Sequence, residues 1–315
     1  PYLKLQNQPS WVVTASLHKS GFPADDLFSS IPQGMFANLE GIKTSGSLDY
    51  HFDLNIDFDN VDSLTFRSNM EKHDFKIEKM GATDFRMIQS PFTYHAYENG
   101  ELVRSFVVGE SNPNFRSLNQ ISECLRGAVM FSEDGQFFRH KGFYENAIKA
   151  SLIQNLKEKR FARGGSTISM QLVKNVFLCR NKTMMRKLEE ILIVWLIENN
   201  RLVSKERMYE TYLNIIEWGP NVYGAEEAAQ FYFDKSCDKL SPAEAIFMAS
   251  IVPRPKKFKL SFNEDGTLKE HLSKYYEKIG YQLHKNGYIS DGEFRRLKPE
   301  VELKGNAKNY FSDLS

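Results

Sequence analysis

Residues 164–175 read Gly164-Gly165-Ser166-Thr167-Ile168-Ser169-Met170-Gln171-Leu172-Val173-Lys174-Asn175. The paired glycines allow a tight turn in which the backbone approaches a neighbouring group closely. Apolar residues then recur with a helical period, which predicts a helix over 167–178. Because N–H groups at a helix N-terminus attract anions, Gly164, Gly165, Ser166 and Thr167 are candidates for holding a phosphorylated ligand. An ordinary glycine-rich loop with a Ser or Thr cap has the same pattern and remains the alternative.

Two glutamates flank this stretch, each inside a dense motif. Glu133 opens the run Glu133-Asp134-Gly135-Gln136-Phe137-Phe138-Arg139-His140-Lys141-Gly142. Glu190 closes the run Arg186-Lys187-Leu188-Glu189-Glu190. Two carboxylates are the minimal equipment for chemistry at an anomeric carbon, since one handles a proton and the other developing charge. The structural alternatives are an exposed glutamate at a helix end for Glu133 and a core-facing glutamate paired with a lysine for Glu190.

Basic side chains near both motifs suggest a substrate that carries phosphate. Lys174, Arg186 and Lys187 are candidates for binding that phosphate, because guanidinium and ammonium groups form charge-assisted hydrogen bonds with it. Arg163, just before the double glycine, is a further candidate. For any single surface lysine the alternative is a solvated charge with no functional role.

Length and composition are those of an ordinary folded protein. The 315 residues are 41% hydrophobic and 26% charged, enough for two domains or one large domain with an appendage. The net charge of +1 gives no global field for nucleic acid, so no nucleic-acid partner is expected. Three cysteines, Cys124, Cys179 and Cys237, lack metal-site spacing and are expected to be free.

No stretch of the sequence is long enough to span a bilayer. The longest apolar run, 191–197, has seven residues, against the roughly 20 that a membrane helix needs. The chain begins at Pro1, so we expect it to be a trimmed piece whose upstream anchor has been removed.

The periodicity changes along the chain. Apolar residues alternate over 48–58, which predicts an amphipathic strand with one wet face. Further strands are predicted over 63–69, 75–80, 82–90 and 102–109, with a hairpin turn at Asn99-Gly100. Helices are predicted over 118–131, 143–157, 167–178, 184–199, 204–216, 222–233, 268–286 and 291–297. Ser241-Pro242-Ala243-Glu244 reads as a capping box that opens a helix ending near Ile251.

These patterns predict an α+β protein. A small antiparallel β domain is expected over residues 1–112. A mainly α domain with a helical C-terminal tail is expected over 113–315.

The ordered motifs resemble those of the peptidoglycan glycosyltransferases, glycosyltransferase family 51. These are the transglycosylase domains of class A penicillin-binding proteins and their monofunctional relatives. Further motifs that carry the resemblance are Tyr212-Leu213-Asn214, Tyr232-Phe233-Asp234-Lys235 and Leu240-Ser241-Pro242-Ala243-Glu244-Ala245. It covers about residues 113–295 and implies a lysozyme-like, mainly α fold. The first third is similar to AsmA-like periplasmic domains.

The resemblance implies a glycan polymerase. The growing chain on a lipid pyrophosphate would be transferred, with inversion, to a lipid-linked disaccharide, lipid II. Glu133 matches the general base, and Glu190 matches the glutamate that orders the donor site. Residues that match substrate-binding positions are Gly164, Gly165, Ser166, Thr167, Gln171, Lys174, Arg186 and Lys187. Residues that match bracing positions are Asp134, His140 and Asn214.

The resemblance also implies partners and a location. No cofactor is expected to be essential, and Glu190 is the candidate ligand for an optional divalent cation, Mg or Mn. Met170 stands where the family usually has glutamine, which puts a donor contact there in doubt. Expected partners are lipid II, the nascent glycan strand, a membrane surface and cell-wall synthesis proteins. The expected location is the bacterial envelope, in the periplasm or at the outer face of the cytoplasmic membrane.

Two alternative functions and the role of one segment remain open. A muramidase-like hydrolase would share the fold, but it would have to admit water and would need no pyrophosphate clamp. A catalytically inactive envelope scaffold would not need both glutamates. The basic amphipathic segment 143–161 would suit a membrane surface or, equally, a core-facing helix followed by a solvated basic loop.

Overall fold

The computed structural model describes residues 1–7, 9–160, 162, 164–178 and 184–314, with the side chains of 184 and 312–314 excepted. The predictions for Arg163 and Cys179 therefore lie outside the described residues. Cys124 and Cys237 are free thiols, as predicted. The α+β class is confirmed, since antiparallel strands precede a mainly helical region.

Strands dominate the first part of the chain and helices the rest. The strands are β1 Tyr2–Asn7, β2 Trp11–Pro23, β3 Lys43–Asp57, β4 Thr65–Lys79, β5 Phe92–Glu98, β6 Glu101–Val108, β7 Glu217–Gly219 and β8 Val222–Tyr223. The helices are α1 Ala24–Ser29, α2 Glu123–Glu133, α3 Glu145–Glu158, α4 Ile168–Phe177, α5 Met184–Asn199, α6 Lys205–Ile215, α7 Ala225–Phe233, α8 Pro242–Ile251, α9 His271–Lys285 and α10 Asp291–Arg296.

The chain forms two compact units, each built from separate stretches of sequence. The first unit contains Pro1–Phe85, His140–Met170 and Asn181–Asn200. The second contains Arg86–Arg139, Gln171–Arg180 and Arg201–Ser315. The domain boundary between residues 112 and 113 stays a prediction.

An antiparallel four-stranded sheet in the order β1-β2-β3-β4 dominates the first unit. The strand predicted over 48–58 is confirmed as far as Asp57, within β3, where Leu48 is fully buried and His51 is exposed, whereas Phe58 lies beyond the strand and is 47% exposed. The two strands predicted over 63–69 and 75–80 are one continuous strand, β4. At Gly46, where the β3–β4 register shifts, φ is +84° and an added Cβ would lie 2.5 Å from the Asp74 carbonyl oxygen, so only glycine fits.

Helix α5 belongs to the same unit as the sheet. The indole Nε1 of Trp195 donates to the Met70 carbonyl oxygen at 3.2 Å. The indole packs edge-on against the Phe75 ring, with 5.2 Å between the ring centroids. Nearer the start of the helix, Glu189 accepts from the Asn38 backbone N–H at 3.0 Å and from the Asn38 side-chain amide at 2.9 Å. The sheet therefore supplies packing partners for the helix that carries Glu190.

The second unit holds the β5–β6 hairpin and most of the helices. The turn of this hairpin is confirmed at Asn99 and Gly100, because both residues have positive φ. The capping box at Ser241 is also confirmed, because the Ser241 hydroxyl accepts from the Glu244 N–H and the Glu244 carboxylate accepts from the Ser241 N–H. Phe247 of α8 and Tyr232 and Phe233 of α7 are fully buried and pack ring against ring.

Three sequence predictions are corrected. The segment 82–90 is not a strand, because Phe85–Gln89 is a 3-10 helix. The helix predicted over 118–131 divides at the buried, extended Ile121, and α2 starts after an N-cap at Ser122. The helix predicted over 222–233 starts later, because Val222–Tyr223 pairs as β8 and Gly224 turns the chain with a positive φ.

Among the described residues, every helix is too short or too polar to cross a membrane.

The indole of Trp195 gives a test of this packing. We expect Trp195→Ala to lower the free energy of unfolding by roughly 3–5 kcal/mol, the usual cost of removing a buried tryptophan. Trp195→Phe keeps an aromatic ring against Phe75 but loses the hydrogen bond to Met70 and part of the buried ring volume, so we expect a smaller loss of roughly 1–3 kcal/mol. Urea unfolding followed by circular dichroism measures both. Equal losses in the two variants would show that the ring contact contributes nothing.

Candidate active site

Glu133 is the last residue of α2, in the second unit. Its carboxylate is half-buried, and its Oε2 accepts a hydrogen bond from the Gln171 amide Nε2 of α4 at 2.9 Å. The other end of that amide, Oε1, accepts from the Tyr212 hydroxyl of α6 at 3.0 Å. Tyr212 is fully buried. Three helices therefore converge on one carboxylate through a continuous chain of hydrogen bonds.

The surroundings of Glu133 change its acidity. Burial is the largest effect and raises the pKa of the carboxyl above its ordinary value, and the negative charge of Asp134 acts in the same direction. Hydrogen bonds from Gln171 and Ser132 and the positive charge of Lys174 oppose this rise. The result is a carboxylate with a stronger affinity for a proton than an exposed glutamate has, which is what a general base requires.

The residues just after Glu133 pack partly into the core of the second unit. Phe137 is fully buried and lies 5.6 Å from the Tyr209 ring, between ring centroids. The Lys205 ammonium stands 4.1 Å from the centroid of the Phe137 ring. Phe138 is 43% exposed and meets Phe137 edge-on. The motif thus puts one phenylalanine in the core and leaves its neighbour largely open to solvent.

Asp134 and Asn214 complete the predicted residues of this unit. Asp134 is buried at the C-cap of α2. The Asn214 side-chain amide donates to the carbonyl oxygens of Arg116 and Glu210, each at 2.8 Å, and its oxygen accepts from the Arg116 N–H at 3.0 Å. Asn214 thereby ties the segment that leads into α2 to the C-terminal turn of α6, which is the geometry of a bracing residue.

The Gly-Gly-Ser-Thr stretch lies in the first unit. Thr167 is buried, its hydroxyl donates to the Gly142 carbonyl oxygen at 2.6 Å, and it accepts from the Met170 N–H at 3.3 Å. It therefore caps α4, as the structural alternative required. A Cβ on Gly165 would lie 3.3 Å from the Ser151 Cβ, so glycine permits a close approach there, whereas Gly164 faces open space.

Glu190 has the opposite environment to Glu133. It is 1% exposed, and its two oxygens each face a cation on the same helix. The Lys187 ammonium lies 2.5 Å from Oε1, and the Arg186 guanidinium lies 3.9 Å from Oε2. Lys187 also donates to the exposed Ser166 hydroxyl at 3.3 Å. The predicted lysine-paired, core-facing glutamate is therefore present, and the same cations form a basic group beside the Gly-Gly-Ser-Thr turn.

Two further predicted positions have defined neighbours. The His140 ring stacks parallel to the Tyr144 ring, with 6.3 Å between centroids. Met170 is buried, so the departure from the family's glutamine places an apolar side chain at a position that excludes water.

The surroundings of Glu190 do not fit a divalent cation. Mg and Mn prefer several oxygen ligands, whereas the described neighbours of Glu190 include two basic side chains. Within the described part of the chain, the group of side chains that could hold an ion is Asp49, Glu71 and His73, on the exposed face of the sheet. The cation at Glu190 stays a prediction, and no chemical step is assigned to it.

The structure thus groups the predicted residues into two sets. Glu133, Gln171 and Lys174 come together in the second unit, and Ser166, Arg186, Lys187 and Glu190 come together in the first. Sequence reasoning did not single out Tyr212, although it belongs to the quoted Tyr212-Leu213-Asn214 motif. It also missed Tyr275, whose hydroxyl donates to Ser132 at 2.8 Å beside Glu133, and no motif marks that position.

Comparison with known proteins supports the resemblance. A family model described as Transglycosylase matches residues 99–277, more than half of the chain. A biosynthetic peptidoglycan transglycosylase of Chromobacterium violaceum is 44% identical over 148 residues, which are 47% of this chain and 64% of that protein. A biosynthetic peptidoglycan transglycosylase of Nitrosomonas eutropha is 46% identical over 137 residues, which are 44% of this chain and 55% of that protein.

These alignments span less than two thirds of each relative's length. The AsmA-like character of the first third stays a prediction. The extent of the match to the family model shows that the chain belongs to the transglycosylase family.

Proposed function

We propose that this protein polymerises peptidoglycan glycan strands, using Glu133 as the general base. The observation that carries the proposal is the environment of the Glu133 carboxylate. It is partly buried, it accepts a hydrogen bond from Gln171, and the positive charge of Lys174 acts on it. Burial strengthens the affinity of the carboxylate for a proton, while the hydrogen bond from Gln171 fixes the orientation of one carboxylate oxygen. The names of the relatives, biosynthetic peptidoglycan transglycosylases, agree with this activity.

In the proposed reaction, Glu133 removes the proton from a hydroxyl of the acceptor, a lipid-linked disaccharide. The acceptor oxygen forms a bond to the anomeric carbon of the growing chain as the bond from that carbon to the lipid pyrophosphate breaks. Attack opposite the leaving group inverts the configuration. The pyrophosphate leaves with the bonding electron pair, and its charge is stabilised by Lys174, Arg186 and Lys187.

Glu190 contributes in this proposal by ordering cations. A buried carboxylate between Lys187 and Arg186 holds both side chains on one side of α5. Ordered cations stabilise a leaving group more than mobile ones, because they need no reorganisation as charge develops. A lipid-linked substrate places the reaction at a membrane surface in the bacterial envelope, where cell-wall synthesis proteins are the expected partners. A contact of segment 143–161 with that surface is part of the same proposal.

The first test is the loss of the base. We expect Glu133→Gln to lower the polymerisation rate by at least ~100-fold, since loss of a general base usually costs 10²–10⁴. Labelled lipid-linked disaccharide, with products separated by size, gives the readout. A polymer yield close to that of the unchanged protein would remove Glu133 from this role. Release of short, water-terminated sugars instead of polymer would identify a hydrolase.

The same substitution should stabilise the fold at neutral pH. Below the ordinary glutamate pKa of 4.5 both the folded and unfolded chains hold the proton. As the pH rises above it, the unfolded chain ionises first, so the raised pKa of Glu133 lowers folded-state stability. Glu133→Gln removes this penalty, and we expect the free energy of unfolding to exceed that of the unchanged protein at pH 7 but not at pH 4.

Glu226 is the control, because its pKa is shifted in the opposite direction to that of Glu133. Burial pulls its pKa upward, but hydrogen bonds from Cys237 and the Arg116 guanidinium outweigh burial and lower it. Glu226→Gln should therefore lower the free energy of unfolding at pH 7, and the loss should shrink as the pH falls. If both variants shift stability in the same direction at pH 7, the buried-base description of Glu133 is wrong.

The pyrophosphate contacts have a binding test. Lys174→Ala and Arg186→Ala should each weaken binding of a short-chain polyprenyl pyrophosphate by roughly ten- to a hundredfold, the value of one hydrogen bond to a charged group. Isothermal titration calorimetry measures this directly. Lys239→Ala is the matched control, because Lys239 is exposed and paired with Asp238 at 3.2 Å. Unchanged affinity in both test variants would exclude these cations from the site.

A further inference from the structure

The Gln171 amide is engaged at both ends. Its Nε2 donates to Glu133 and its Oε1 accepts from Tyr212. An amide that rotates by half a turn exchanges its oxygen and nitrogen, so it can present either a donor or an acceptor to a neighbour. A carboxylate is favoured by a donor, whereas an acceptor at the same place favours the protonated acid. The orientation of Gln171 therefore decides which form of Glu133 is stabilised.

Tyr212 is suited to set that orientation. It is fully buried on α6, and burial raises the pKa of its hydroxyl well above the ordinary value, so the hydroxyl keeps its proton in the working range. A protonated phenol can donate to the amide oxygen, and a reversed amide would instead place its NH₂ group against that donor. The Tyr212 oxygen could accept from that NH₂ group, but its buried O–H would lose the amide oxygen as acceptor, and the Glu133 carboxylate would face an oxygen instead of a donor.

We propose that Tyr212 is a positioning residue, which fixes the Gln171 amide so that its NH₂ group faces the reacting carboxylate of Glu133. The inference rests on the proposed role of Glu133 as the base. It assigns to Tyr212 a role that acts through its hydrogen bond to Gln171 and not on the substrate.

The pH dependence of the reaction reports this role. The titratable and charged groups around Glu133 are Asp134 next to it on the chain, Lys174 on α4, Tyr209 and Tyr212 on α6, and Tyr275 on α9. Removing the Tyr212 hydroxyl leaves all the charges in place and frees only the amide. The carboxylate then loses part of its donor, which makes it easier to protonate.

The experiment compares Tyr212→Phe with Tyr209→Phe. We expect Tyr212→Phe to move the acidic limb of kcat/KM for polymerisation to higher pH. At neutral pH we expect the rate to fall by roughly three- to tenfold, the value of one neutral hydrogen bond. Tyr209→Phe is the matched control, because Tyr209 lies on the same helix and is equally buried, but its hydroxyl donates to the Arg126 carbonyl oxygen. Its acidic limb should stay in place.

A double-mutant cycle separates the effect of the Tyr212–Gln171 hydrogen bond from any general loss of activity in the variants. In a Gln171→Ala background the amide is absent, so adding Tyr212→Phe should leave the pH profile unchanged. Circular dichroism establishes that each variant is folded. An unshifted limb in Tyr212→Phe, an equal shift in Tyr209→Phe, or full additivity with Gln171→Ala would each overturn the inference. Full activity of Glu133→Gln would instead overturn the proposed function, so the two failures are distinguishable.

Discussion

The hydrogen bond between the Gln171 amide and the Glu133 carboxylate is the contact on which the group of candidate residues in the second unit depends. A general base must be buried enough to bind a proton well. A buried carboxylate without a hydrogen-bond donor, however, would cost too much free energy to keep ionised. One amide donor is an intermediate solution. It requires the end of α2, the middle of α4 and the buried face of α6 to meet within hydrogen-bond reach, and Tyr212 on α6 is fully buried there.

The same residue type serves the opposite purpose in the first unit. Glu190 is more deeply buried than Glu133, but two cations from its own helix balance its charge. Removing one partner of a buried ion pair of this kind is costly, because it leaves an uncompensated charge. Two glutamates in one chain therefore differ in chemistry because of what lies within a few ångströms of each, as acid and base pairs do in other glycosyl-transforming sites.

Local patterns predicted the parts of the fold that depend on local physics. The alternation over 48–58 identified β3, because a two-residue period has one structural meaning. The Asn99-Gly100 turn and the Ser241 capping box followed from backbone preferences. The strand predicted over 82–90 was wrong, since a short apolar run has no period of its own and this one forms a 3-10 helix. The pairing of Tyr212 with Gln171 joins residues far apart in sequence, so no local pattern contains it.

Residues of the N-terminal third hold α5, the helix of the first unit that carries Glu190. The indole of Trp195 is held by β4, and Glu189 is held by Asn38. Glu190 follows Glu189 directly, so the rotation of α5 that buries Glu190 is fixed by contacts with the sheet and its connecting turn. A helix held at two points along its length has little freedom to rotate about its axis. Strand β4 and Asn38 thus help to place Arg186 and Lys187 on α5, although neither contains a predicted site residue.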